Sequence, residues 1–175
     1  MRSAIALAWA LAALALVTAS IVTKERQLAS GRIVLLELAP VDPRSLMQGD
    51  YMTLRYTIAE QASADLRKMA RPGGAAGPAD SGKGLPVADG HIVATLDANA
   101  VAAYRRLHGR AAIGRDEILL RYRVRNDRIR FATNAFFFQE GTARRYEPAR
   151  YGEFRVAADG ELLLTGLRDA QRRPL

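Results

Sequence analysis

Cysteine is absent from the 175 residues. That removes disulfides, thiolate metal sites and cysteine nucleophiles together. It assigns no compartment, because an oxidising one permits disulfides without requiring them. Histidine occurs only as His91 and His108, without ligand-type spacing. A zinc site needs three or four ligands, and no third suggests itself. Lysine is scarce: of 26 basic residues only Lys24, Lys68 and Lys83 are lysine, which leaves 23 arginines. A phosphate-cradling loop is missing, since Ser81-Gly82-Lys83-Gly84 places its lysine in the wrong frame for GxxxxGK[ST]. Nucleic-acid motifs and internal repeats are missing too.

What is present is 49% apolar and 25% charged residues, with a formal net charge of +8. The length fits one compact domain with an appended segment, and the apolar share excludes a wholly disordered chain. Residues 4–22 read AIALAWALAALALVTASIV, 19 residues with no charge. As a helix this is about 28 Å long, close to the ~30 Å hydrocarbon core of a bilayer. A soluble helix would carry a polar stripe, and this one has none. The stretch exceeds the about 7–15 residues of a signal-peptide core, which favours an uncleaved anchor. Val17-Thr18-Ala19 would nevertheless serve as a cleavage site, so a signal peptide stays open. Arg2 precedes the stretch, and Lys24 and Arg26 follow it, so the positive-inside rule is close to a tie. A very short amino-terminal tail stays inside while the large domain is exported. The expected division is an anchor over 1–23 and an exported domain over 24–175. Without Arg2 the exported part carries +7, one less than the chain's +8.

Residues 33–38 are β-branched and apolar, as a buried strand requires. Two prolines then break the pattern, and residues 51–58 predict a second strand with Met52, Leu54, Tyr56 and Ile58 on one face. Residues 59–70 predict a short helix. Residues 71–90, with six glycines and three prolines, predict a linker or mobile loop. A β meander follows: strands over 91–97, 117–125 and 128–133, a segment over 100–108 that reads as a strand with helix as the alternative, one or two helical turns within 139–149, and a hairpin around Asp159-Gly160. The basic tail 168–175 is expected to fray. The fold class is therefore α+β and β-rich: a mainly antiparallel sheet domain with one or two short helices behind a transmembrane helix.

Gly49-Asp50-Tyr51-Met52-Thr53-Leu54-Arg55-Tyr56 reads G-D-Y-x-x-L-x-Y. It resembles the signature of the bacterial GDYxxLxY family, whose motif positions here are Gly49, Asp50, Tyr51, Leu54 and Tyr56. Residues 134–141, 149–153 and 166–169 resemble members as well. The resemblance implies a membrane-anchored protein of unassigned activity, with no catalytic residues to carry over, beside an integral membrane partner. Ser45-Leu46-Met47-Gln48-Gly49-Asp50 is also similar to the end of the membrane signal peptidase motif. With the Gly-Asp pairs aligned, Val41 occupies the serine position, and valine is no nucleophile. A hydrolase would need Ser45 with Lys68 as base, and no motif supports that pair.

Among candidate chemistry, Asp50 reads as a turn cap and Gly49 as a positive-φ position. Tyr51 and Tyr56 read as core or half-buried rings with polar tips. Glu140, Glu147, Glu153 and Glu161 are spread among turns and strands. A two-residue loop at Asn126-Asp127 would pair Arg125 with Arg128 and Arg123 with Arg130, placing arginines on one face and Val124 and Ile129 on the other. Like charges directly opposite destabilise a hairpin, so carboxylates, solvent or an external anion must offset them. Arg121, Arg123, Arg125, Arg128 and Arg130 are the candidate anion-binding residues, for anionic lipid or an envelope polymer. Phe136, Phe137 and Phe138 alternate faces, which offers at least one ring to a partner. The sequence thus predicts a single-pass protein of the bacterial inner membrane with its domain in the periplasm, an accessory or interaction module without cofactor, metal or nucleic acid. The alternatives are a hydrolase and an anionic-surface binder.

Overall fold

The computed structural model describes residues 2–40, 47–48, 51–69, 85 and 88–175. Helix α1 (Arg2–Ser30) leads into β1 (Arg32–Glu37). Next come β2 (Met47–Gln48), β3 (Tyr51–Thr53) and α2 (Thr57–Met69), then β4 (Asp89–Leu96), β5 (Ala102–Leu107), β6 (Glu117–Arg125) and β7 (Arg128–Arg130). The chain ends with β8 (Ala135–Phe137), α3 (Ala143–Tyr146), β9 (Tyr151–Val156) and β10 (Leu162–Arg168).

The strands form three antiparallel sheets, ordered β1-β9-β10, β2-β3-β8 and β5-β4-β6-β7. Alternation drives their assembly. In β9, Gly152, Phe154 and Val156 point inward; in β6, Leu120, Tyr122 and Val124 do, while Arg121, Arg123 and Arg125 face solvent. One core gathers Val34, Leu36 and Phe154 from the first sheet, Ile92 and Leu120 from the third, and Leu54 and Tyr56 between them. Helix α2 buries Ile58, Ala59 and Ala62 against this core, and the Tyr104 hydroxyl on β5 donates to Asp65 at 2.7 Å. Glu60 in its first turn and Arg67 and Lys68 in its last complement the helix dipole. The fold is α+β and β-rich.

Several expectations shift. The strand foreseen over 51–58 stops at Thr53, and Ile58 belongs to α2. Tyr56 still makes an isolated bridge to Leu38, so inward pointing at Met52, Leu54 and Tyr56 persists up to the helix. The loop foreseen over 71–90 yields to packed structure at its end: Leu85 is buried, and β4 starts at Asp89. Residues 70–84 and 86–87 lie outside the described residues.

The hairpin around Asp159-Gly160 has three loop residues, not two. Gly160 N–H donates to Ala157 O and Ala157 N–H to Glu161 O, with Gly160 at φ +83°. The true two-residue turn is Asn126-Asp127, both with positive φ, at 52° and 59°. The tail does not fray. Asp169, only 6% exposed, accepts from the backbone N–H of Gln171 and Arg173 and from the Arg173 side chain. Leu175 N–H donates to Leu167 O, closing the tail against β10.

Candidate interaction surfaces

Helix α1 outlasts its apolar stretch by two turns, about 12 Å of polar helix. From Ile5 to Ser30 it is long and apolar enough to cross a membrane, and none of its most apolar window is buried against the domain. Its polar end is socketed. Gln27, 6% exposed, donates from Nε2 to Arg155 O at 3.1 Å and to Glu161 O at 2.8 Å. Lys24 pairs with Glu161 at 2.8 Å, and Arg155 donates to Gly31 O at 3.1 Å. Gly31 ends the helix where a Cβ would stand 2.4 Å from Gln27 O, so only glycine fits that approach. No flexible linker separates the apolar helix from the sheet domain. Sequence reasoning missed Gln27 and did not join Glu161, one of the four glutamates it singled out, to the helix; the signal was an unbroken helical stretch over 23–30 with no glycine before Gly31.

The arginine hairpin forms in the foreseen register, Arg123 opposite Arg130, Val124 opposite Ile129 and Arg125 opposite Arg128. All five arginines from Arg121 to Arg130 are exposed. Asp89, opposite Arg123 on β4, pairs with Arg125 at 3.0 Å and offsets part of the like-charge repulsion. Arg121, Arg123, Arg128 and Arg130 have no carboxylate partner among the described residues. Arg121 N–H donates to Gly160 O at 2.7 Å, so the row begins one residue from the Glu161 that holds α1.

The five arginines do not share one surroundings. Arg128 and Arg130 also line an open cleft of about 910 Å³ between α2 and residues 127–135. Its other polar side chains include Arg55, Glu60, Arg67, Asp127 and Asn134. Arg55 pairs with Glu60 at 3.2 Å and Arg67 with Asp127 at 3.3 Å. Arg55 and Arg67 were not foreseen as partners of the hairpin, because α2 and β7 meet only through the fold.

Of the motif positions, Gly49 and Asp50 lie outside the described residues, as do Val41 and Ser45 of the protease comparison. Tyr51 is half-buried beside the Phe137 ring, with centroids 5.8 Å apart. Leu54 and Tyr56 are each 1% exposed. Tyr56 packs edge-on to Phe131 and Phe154, and its hydroxyl has no hydrogen-bond partner among the described residues, against the polar tip expected. Burial pushes that hydroxyl far up, keeping it neutral. Lys68 is exposed and held by Asp65 at 3.0 Å, unlike the desolvated lysine a general base requires. Phe136 and Phe138 pack on Tyr146 and leave Phe137, 74% exposed, as the one ring of the three offered outward.

Two of the four glutamates singled out in the sequence hold ion pairs. Glu153 pairs with Arg168, and Glu161 with Lys24; Glu140 and Glu147 are exposed. The Arg106 guanidinium, at 2.5 and 3.1 Å, and the Gly114 N–H hold the Glu117 carboxyl below its usual range. The backbone N–H of Arg173 does the same for Asp169, that of Val101 for Asp97, and the Tyr104 hydroxyl for Asp65. His91 and His108 stand edge to face, 6.2 Å apart, and His91 Nε2 meets Asp159 O at 3.1 Å. Among the described residues no group of three His, Asp or Glu is placed to hold a metal.

These features define a class: a β-rich α+β domain fused without a break to one helix able to cross a membrane, with cationic surfaces. More narrowly, the sequence model of the GDYXXLXY protein family matches residues 13–167, and the chain belongs to that family. No curated protein and no solved structure matches it.

Proposed function

We propose that this chain is a membrane-anchored extracytoplasmic interaction module that acts beside an integral membrane partner. The observation that carries the reading is the socket of Gln27 and Lys24 on Arg155 and Glu161. A tethered enzyme on a flexible linker would sample many orientations. A domain locked to its helix presents fixed surfaces at a fixed height above the bilayer, which suits contact with another membrane protein. Phe137 and the arginine row supply that contact. The uncleaved helix stays in the inner membrane, with residues 24–175 in the periplasm.

A photo-crosslinking residue placed at Phe137 or Arg121 in the full-length membrane protein tests this. Reproducible adducts with one membrane protein, lost on charge reversal of the arginine row, are expected; no specific adduct from either position overturns the reading. A second reading follows from the link between Arg121 and the helix socket, which brings arginines near the headgroup layer. The tethered domain then also rests on anionic lipid. Arg121→Glu with Arg123→Glu is expected to weaken binding of residues 24–175 to anionic vesicles at least about tenfold. Equal binding removes this second reading.

A further inference from the structure

The cleft between α2 and β7 carries a feature that the charge pattern alone does not reveal. Among the described residues β7 is the last strand of its sheet, and one side of its backbone faces no further described strand. The tight turn at Asn126-Asp127 makes Arg125 and Arg128 a hydrogen-bonded pair, so Val124 and Ile129 form the next, non-hydrogen-bonded pair. Val124 N–H indeed donates the other way, to Ala88 O at 2.7 Å. By the same alternation the N–H and C=O of Ile129 point away from β6, toward the open edge. Neither has a partner among the described residues. Every position from Asp127 to Ala135 lines the cleft, inward and outward side chains alike, as happens when a strand presents its edge.

We propose that this edge docks an acidic, extended segment of a partner protein, which joins β7 as an added strand within the cleft. The inference rests on the interaction-module reading and names the chemistry of the partner. Strand addition supplies both an N–H and a C=O to complement Ile129, which a free phosphate or lipid headgroup does not. Charge selects the sign. Arg55, Arg67, Arg128 and Arg130 against Glu60 and Asp127 leave the cleft at +2, four less two. Arg55 and Arg67 are already paired, so the unmatched charge sits on Arg128 and Arg130, on either side of Ile129. An acidic side chain next to the added backbone pair would meet one of them. Residues 70–84 of the chain itself carry Arg71 and Lys83 against Asp80, a net +1 that does not complement the cleft.

Full-length protein in nanodiscs of neutral lipid, titrated with a fluorescent peptide alternating glutamate and valine, tests the proposal by anisotropy. Saturable binding is expected. The same peptide with lysine for glutamate should not bind. Methylating the backbone nitrogens along one peptide edge should weaken binding about tenfold, the cost of a lost hydrogen bond. Arg128→Glu with Arg130→Glu, at exposed positions that spare the fold, should weaken it at least about tenfold. Binding indifferent to methylation on either edge, or displacement by inorganic phosphate at matched charge, would mean a plain anion site and overturns the proposal. Failure of the glutamate peptide to bind overturns it as well. The two readings fail separately. Crosslinked partner with no peptide binding removes the strand-addition site alone, whereas absence of any crosslinked partner removes the interaction module.

Discussion

At Tyr56 a family-motif residue is packed for its ring and not for its hydroxyl. The ring fills the space between Phe131 and Phe154, while the hydroxyl is buried without a partner among the described residues. A buried, unsatisfied hydroxyl costs roughly 1–3 kcal/mol. Tyr56→Phe is therefore expected to leave urea stability unchanged or raise it by about 1 kcal/mol; a large loss would show that the hydroxyl serves something else. Asp169 is the opposite case. Its carboxylate organises the last turn through three donors, so Asp169→Ala should lower the Tm of residues 24–175 by about 5 °C and expose the tail to carboxypeptidase. The motif tyrosine was legible as a core ring because Met52, Leu54 and Tyr56 alternate. The isolation of its hydroxyl was not, because that depends on which side chains arrive from β9 and from the segment after β7. Asp169 reads in sequence as one more residue of a charged tail, and its donors become neighbours only when the tail turns back on β10.

Among the elements, α1 and the β6–β7 hairpin differ in what local sequence could specify. The hairpin register follows from a two-residue turn and strict alternation, both local. Its neighbours do not: β4 brings Asp89 to Arg125, and α2 brings Arg67 to Asp127. For α1, the apolar stretch and the lack of a breaker before Gly31 state the helix. The socket beneath it comes from β9 and the connection that leads into β10, over a hundred residues later. Gln27→Leu would remove the Gln27 bonds to Arg155 O and to Glu161 O, the latter still accepting from Ala157 N–H, so it should raise hydrogen exchange across residues 23–31 and 155–161. Unaltered exchange there would show that the socket does not hold the helix.

Over the whole molecule, the lowered carboxyl pKa values of Asp65, Asp97, Glu117 and Asp169 set a direction for acid stability. Each group binds its proton less readily in the native state than unfolded. Their stabilisation is complete above the ordinary carboxylate range and is lost as pH falls through it toward the lowered native values. Tm should decline from about pH 5 downward, and Glu117→Gln should make that decline shallower. A decline that begins near neutrality would point to other groups. The apolar share with which the sequence is endowed divides into a membrane-length helix and a smaller core, and the fold class follows from local patterns: an unbroken apolar stretch, period-two strands and turn residues. These act between neighbours in the chain, so they are readable from order alone. Tertiary structure alone decided that the polar end of α1 is locked to the β9–β10 hairpin. It also decided that the tail is capped by Asp169, and that Arg128 and Arg130 share a cleft with α2 beside an open strand edge. Each joins groups far apart in the chain, whose meeting is set by how the sheets and α2 close around one core.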